Sequence, residues 1–193
     1  MTRRGSTSKV LETDRLILRR LSVDDDAFIL ELLNEPSWLR FIGDKGVRTL
    51  EDARDYIVKG PVAMYEREGF GLYLTQRKSD GARIGLCGLI KRDSLDDADI
   101  GFAFLPKYWT QGYAHESAAA VITYGRDILG LTPIVAITSP GNDASIRLLE
   151  KLGMTFQISV RLADDADEVH LYAQEGSPTM RADRSRHRRT GRA

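Results

Sequence analysis

Seven residues, Trp109-Thr110-Gln111-Gly112-Tyr113-Ala114-His115, carry the clearest chemical signal in the sequence, and it lies in their backbone. They follow an apolar run and open what reads as a helix. A helix start leaves about four N–H groups without intrahelical partners and carries roughly half a positive charge. Ser, Thr, Asp or Asn usually covers such donors. Here the cap position is Gly112, which has no side chain. Converging bare amides at the end of a strand take an anion, usually a phosphate. Gly112 can adopt a left-handed backbone, and the small Ala114 lets a ligand approach the chain closely. Water covering the amides of an exposed helix is the alternative reading. Neither the Gly-x-Gly-x-x-Gly fingerprint nor a P-loop occurs, which turns the reading away from those nucleotide sites.

Other reactive side chains are sparse. None of the three histidines has metal-ligand spacing to another. The single cysteine, Cys87, lies in an apolar strand, where packing is its expected use, and it excludes an internal disulfide framework. Asp96, Asp97 and Asp99 form an acidic run, read as the solvated edge of a strand unless something faces Asp99. Asn142 is a sound helix cap, and Ser145 falls in the first turn after it.

These groups must be positioned by an alternating series of elements. Residues 15–21 read as a strand, followed by a helix capped at Ser22 with Asp24, Asp25 and Asp26 in its first turn. Residues 37–42 read as an apolar connector, and 50–67 as a helix interrupted at Gly60-Pro61. Strands are expected at 71–78, 83–92 and 99–105, the first two joined by a Ser-Asp-Gly turn. Then come the helix after Gly112, a nearly all-apolar strand at 133–140 of the kind covered on both faces, and a helix over 142–153. Two last strands lie near 154–162 and 168–174. Residues 10–175 read as one mixed α/β domain, with a flexible stretch at 1–9 and an Arg-rich, disordered tail at 176–193.

Composition fits a globular chain: 193 residues, 42% hydrophobic and 29% charged. No apolar run approaches the ~20 residues of a membrane span, and the basic N-terminus lacks the apolar stretch of a secretory signal. A cytoplasmic protein is the expectation. Net charge is zero, but the tail holds six Arg and one Asp, which leaves 22 basic against 27 acidic side chains in the rest. The tail reads as solvated. Nucleic-acid binding is the lesser reading, since no aromatic residues interleave with its arginines.

Three stretches in order, "ETDRLILRRL", "ADIGFAFLPKYWTQGYAHES" and "NDASIRLLEKLGM", make the chain resemble the GNAT acyl-CoA N-acyltransferases. Within them the likeness is greatest to the branch of ribosomal-protein N-terminal (alanine) acetyltransferases. The resemblance implies a mostly antiparallel sheet of six to seven strands with one splayed parallel pair and about four helices. It implies acetyl-CoA as co-substrate, with no metal. The pantetheine arm would pair with the backbone of Phe102, Phe104 and Leu105 and contact Asn142. The pyrophosphate would sit on the amides of Trp109, Thr110, Gln111, Gly112, Tyr113, Ala114 and His115. Trp109 departs from the family's Gln or Arg at the first loop position.

A thioester donor needs a neutral attacking amine and hence a base, and its leaving thiolate needs a proton. The resemblance places Ser145 as thiolate acid. Many family members use a Tyr four residues later, which here is Leu149. Asp99 is the first candidate base, with Glu168 and His170 behind it. Trp38, Phe41 and Ile42 are candidates to roof the acceptor side. The implied activity is acetyl transfer to a primary amine, a protein N-terminus or a small amine, by a monomer or homodimer. The alternative is a non-catalytic acyl-CoA-binding module.

Overall fold

A computed structural model describes residues 8–163 and 166–174. The Arg-rich tail at 176–193 lies outside the described residues. Eight strands form one sheet in the order β1-β2-β3-β4-β5-β6-β8-β7: β1 Lys9–Glu12, β2 Leu16–Arg19, β3 Leu72–Arg77, β4 Arg83–Ile90, β5 Ala98–Phe104, β6 Ile134–Thr138, β7 Met154–Arg161 and β8 Glu168–Gln174. This is one strand more than expected. The addition is β1, a four-residue edge strand that pairs antiparallel with β2 and begins inside the stretch expected to be flexible. It is short and half exposed, so its sequence carries little apolar alternation.

The helices are α1 Asp26–Leu33, α2 Pro36–Phe41, α3 Leu50–Ile57, α4 Ala63–Glu68, α5 Tyr113–Asp127 and α6 Asp143–Lys151. A wide π turn over Val58–Val62 joins α3 to α4 around Pro61, whose ring removes a backbone donor. The two thus run on as one interrupted rod. Residues 37–42 are mostly helical, not the expected connector. Pro36, which ends α1, also occupies the first turn of α2, where a fixed φ and a missing N–H are tolerated.

Leu16, Leu18, Tyr73, Ile84, Leu89 and Ile100 pack beneath α5 with Ala118, Val121 and Ile122. Leu74 and Leu86 pack on the opposite face against Phe28, Ile29, Leu32, Trp38 and Ile57. Gly125 sets how closely α5 lies on the sheet. A Cβ there would come within 2.7 Å of Leu89 Cδ1 and 2.8 Å of Ile134 Cδ1.

All neighbouring strands run antiparallel except β5 and β6. That parallel pair is joined only at Ala98↔Ile134 and Asp99↔Val135. Beyond it β5 continues to Phe104 and β6 to Thr138 without pairing to each other, so the sheet opens into a gap. The start of α5 lies at the mouth of this gap.

Candidate active site

A cleft of about 740 Å³ occupies the gap and continues beneath α2. The side formed by the start of α5 and the edge of β5 is built almost entirely from backbone. After a 3-10 turn at Pro106–Tyr108 the chain takes two left-handed residues, Thr110 at φ 60° and Gly112 at φ 82°. For Gly112 this conformation is free of penalty, whereas Thr110 pays roughly 1–2 kcal/mol for it. Helix α5 then begins with no side-chain cap. Among the described residues the first amide there to find an acceptor is that of Glu116, on Gly112 O at 3.0 Å. The starts of α3 and α6 contrast with it. Thr49 Oγ1 accepts from the Asp52 amide at α3, and Asn142 Oδ1 accepts from the Ser145 amide at α6.

Trp109, Thr110, Gly112, Tyr113, Ala114 and His115 all line the cleft. Gln111 does not. Its side chain donates to Lys107 O, and its carbonyl accepts from Arg15 Nη1 at 2.9 Å. Arg15 also donates through Nε to Glu116 Oε2 at 2.6 Å and lies over the Tyr113 ring, 4.5 Å from its centroid. Burial raises the Glu116 pKa, but hydrogen bonds from the Thr13 hydroxyl and from Arg15 outweigh it and hold the carboxyl below its ordinary value. Sequence reading missed Arg15, which lies in the quoted "ETDRLILRRL" but about a hundred residues from its partners.

The open edge of β5 supplies the rest of this side. Leu105 donates its amide to Ile84 O at 3.0 Å, and Ala103 and Gly101 stand opposite Leu86 and Gly88 of β4. Alternate residues of an antiparallel pair turn their backbone groups away from the partner. Phe102 and Phe104 therefore present theirs to the gap, and Leu105 does not. Leu105 is buried in the cluster under α1–α3 and lies off the cleft, a correction to its expected place among the pantetheine contacts. One of these groups already has a partner, since Trp109 Nε1 donates to Phe104 O at 2.7 Å.

Across the gap, Asn142 and Ser145 line the cleft from the start of α6. Among the described residues the Ser145 hydroxyl makes no hydrogen bond within the protein. Leu149 is packed in the core under α5, so no side chain four residues on replaces Ser145.

The opposite side, around Asp99 and α2, is built from side chains. Asp99 is only 1% exposed, which overturns the solvated-edge reading. Its carboxylate is paired with Arg92, Nε–Oδ1 2.9 Å and Nη2–Oδ2 3.3 Å. Burial is the largest influence on Asp99 and raises its pKa; Arg92 opposes this without cancelling it. Trp38, Phe41, Leu72, Ile90 and Glu35 line this region. Ile42 lines it and is exposed. Ser139 Oγ donates to Phe41 O at 3.0 Å, tying the end of α2 to the end of β6 across the mouth. Glu168 and His170 lie on β8 outside the lining, and the His170 ring packs edge-on against Phe156. Cys87 is buried, its thiol pushed up to about 12 by burial. Among the described residues no three His, Cys, Asp or Glu side chains are grouped to hold a metal ion.

A parallel pair opened inside an antiparallel sheet, with bare helix amides at its mouth, defines an acyltransferase fold. The chain belongs to the GNAT family: residues 15–155 match the model of the acetyltransferase (GNAT) domain. It is 32% identical over 146 residues to the N-acetyltransferase YoaA of Bacillus subtilis (strain 168), covering 75% of this chain and 81% of that one. It is 30% identical over 156 residues to YkkB of the same organism, covering 78% and 88%. Among solved structures, a GNAT-family acetyltransferase from Bacillus anthracis superposes with a TM-score of 0.70 at 26% identity, over 84% of this chain and 96% of that one. The ribosomal L7/L12 alpha-N-protein acetyltransferase RimL shares the fold, with a TM-score of 0.74 at 18% identity, over 90% and 98%.

Proposed function

We propose that the protein is an N-acetyltransferase that moves the acetyl group of acetyl-CoA to a primary amine by direct attack in a ternary complex. The observation that carries this reading is the uncapped start of α5. It opens on the same cleft as the free edge of β5 and the buried Asp99. The amides of Thr110 and Gly112 to His115 would hold the pyrophosphate, and the open edge at Phe102 and Phe104 would hold the pantetheine arm. Acetyl-CoA supplies an activated acyl carbon. The amine lone pair forms the C–N bond as the C–S bond breaks.

Asp99 takes up the proton the amine loses. A raised pKa makes a carboxylate a better proton acceptor, and the Arg92 partner holds it in place. Ser145 faces the cleft with its hydroxyl unengaged; it passes its proton to the departing thiolate as it takes one from solvent, and Asp99 releases the amine's proton to solvent. The acceptor wall is mainly apolar, Arg92 neutralises Asp99, and the remaining lining carboxylates, Glu35 and Asp143, are matched by Arg40, Arg147 and Lys151. This favours an amine on a largely apolar body, a small molecule or a protein N-terminus, over a polycation. Relatives of this fold include both a ribosomal-protein acetyltransferase and a spermidine N-acetyltransferase chimera, so the fold by itself does not choose.

The test is thiol release from acetyl-CoA across peptides with free N-termini, arylalkylamines and spermidine. Amine-dependent release, strongest with apolar amines, is the expected result. Tight CoA binding with no transfer to any amine would make the protein a non-catalytic acyl-CoA-binding module instead.

A further inference from the structure

We propose that Arg15 is the positioning residue of the donor-phosphate loop, setting from a distant part of the sequence which backbone groups face the cleft. The inference rests on the reading of the α5 start as the phosphate site. The loop before α5 has two left-handed residues, Thr110 and Gly112, flanking Gln111. The cap residue, Gly112, makes no side-chain hydrogen bond that would brace this conformation. Arg15 does so from outside. Its guanidinium joins the Gln111 carbonyl, the Glu116 carboxylate and the Tyr113 ring in one fork.

Peptide planarity turns this contact into a choice of direction. In a trans peptide the C=O and the following N–H point opposite ways. Holding Gln111 O on Arg15 therefore aims the Gly112 amide away from Arg15. In agreement, Gly112 lines the cleft and Gln111 does not. The second consequence is electrostatic. Glu116 puts a carboxylate in the first turn of α5, close to where an anion would bind, and Arg15 neutralises it at 2.6 Å. An ammonium could supply the charge but not the fork, because Lys lacks the planar set of donors that reaches two acceptors at once.

Arg15 is itself firmly seated. Its carbonyl accepts from the Lys78 amide at 2.9 Å, and its own amide donates to Glu116 Oε1 at 2.9 Å. Its side chain is 47% exposed, so the ion pair adds little to folding. Its effect should appear in ligand binding instead.

The experiment compares CoA with a donor lacking the phosphates. Parent, Arg15→Ala and Arg15→Lys would be measured for CoA affinity by calorimetry, for turnover of S-acetylpantetheine, and for melting temperature. The expected result is a loss of CoA affinity of about tenfold in Arg15→Ala, the equivalent of one charge-assisted hydrogen bond. Arg15→Lys should recover less than half of that loss on a logarithmic scale. Both variants should turn over S-acetylpantetheine as the parent does. Unchanged CoA affinity in Arg15→Ala, full recovery by Lys, or an equal loss with both donors would overturn the proposal. If Arg15→Ala does not fold, the Lys variant decides alone, since its ammonium retains the charge while losing the fork. A parent that binds S-acetylpantetheine but no more tightly CoA would remove the phosphate site, and this inference with it.

Discussion

The two sides of the cleft are built on different principles. The side proposed to hold the donor consists of backbone groups of Thr110 and of Gly112 to His115, together with the free edge of the neighbouring β5. The acceptor side consists of side chains from α2, β3, β4, the β4–β5 loop and β5, closed by a hydrogen bond from β6. Backbone amides are the same whatever residue carries them, so a site built from them depends little on which side chains its loop carries. An acceptor site made of side chains changes with each substitution. One fold can thus keep its donor while acceptors diverge.

The largest expected effect tests whether the acceptor side holds the base. Asp99→Asn should lower turnover by about 10²-fold, a typical contribution of a positioned base, and most at low pH, where more of the amine is protonated. CoA affinity should not change. Equal activity of parent and variant across the pH range would make Asp99 a structural partner of Arg92 only. Stability carries its own signature. Because the folded-state pKa is raised above the ordinary 3.8, the folded chain binds this proton more tightly than the unfolded chain. That contribution to stability is present at low pH, falls as pH rises past 3.8, and is gone above the folded value. Denaturation at a series of pH values should show this fall in the parent and not in Asp99→Asn.

The donor side is broken most directly by charge. Ala114→Glu places a carboxylate among the bare amides of α5 and should weaken CoA binding by more than ~10-fold. The melting temperature should stay near that of the parent, since Glu suits a first helical turn. CoA binding equal to the parent in a folded variant would move the phosphate site elsewhere.

Ser145→Ala asks whether a side chain also matters at the meeting of the two sides. Turnover should fall by about tenfold with unchanged CoA affinity, because a thiolate leaves fairly well without a proton donor. A rate equal to the parent when chemistry limits turnover would leave Ser145 as an ordinary residue of the first turn of α6.

The smallest effect sharpens the contrast. Ser139→Ala removes the tie between β6 and α2 and should cost about 1 kcal/mol in stability. The acceptor KM should rise while CoA affinity holds. A shift in CoA affinity instead would show that the two sides are coupled through α2.

The donor side was legible because its cause is local. Glycine at a cap position, followed by Tyr, Ala and His, announces uncovered amides wherever the helix ends up, and Asn142 announces the contrary for α6. Apolar runs bounded by turn residues likewise marked β2 to β8, alternating where one face is buried and nearly continuous in β6 where both are. That signal failed for β1, whose exposed edge imposes none, and for α2, where Pro36 serves both to stop one helix and to start the next. In the cleft, sequence order separates what space joins. Arg92 meets Asp99 because β4 and β5 form a hairpin, and Arg15 reaches Glu116 and Gln111 because β2 lies at the foot of α5. That Asp99 is buried and that Leu105 turns from the gap was decided by strand register and helix packing. A carboxylate in an acidic run has the same chemistry in water wherever it stands, and only the surroundings brought by distant segments raise its pKa.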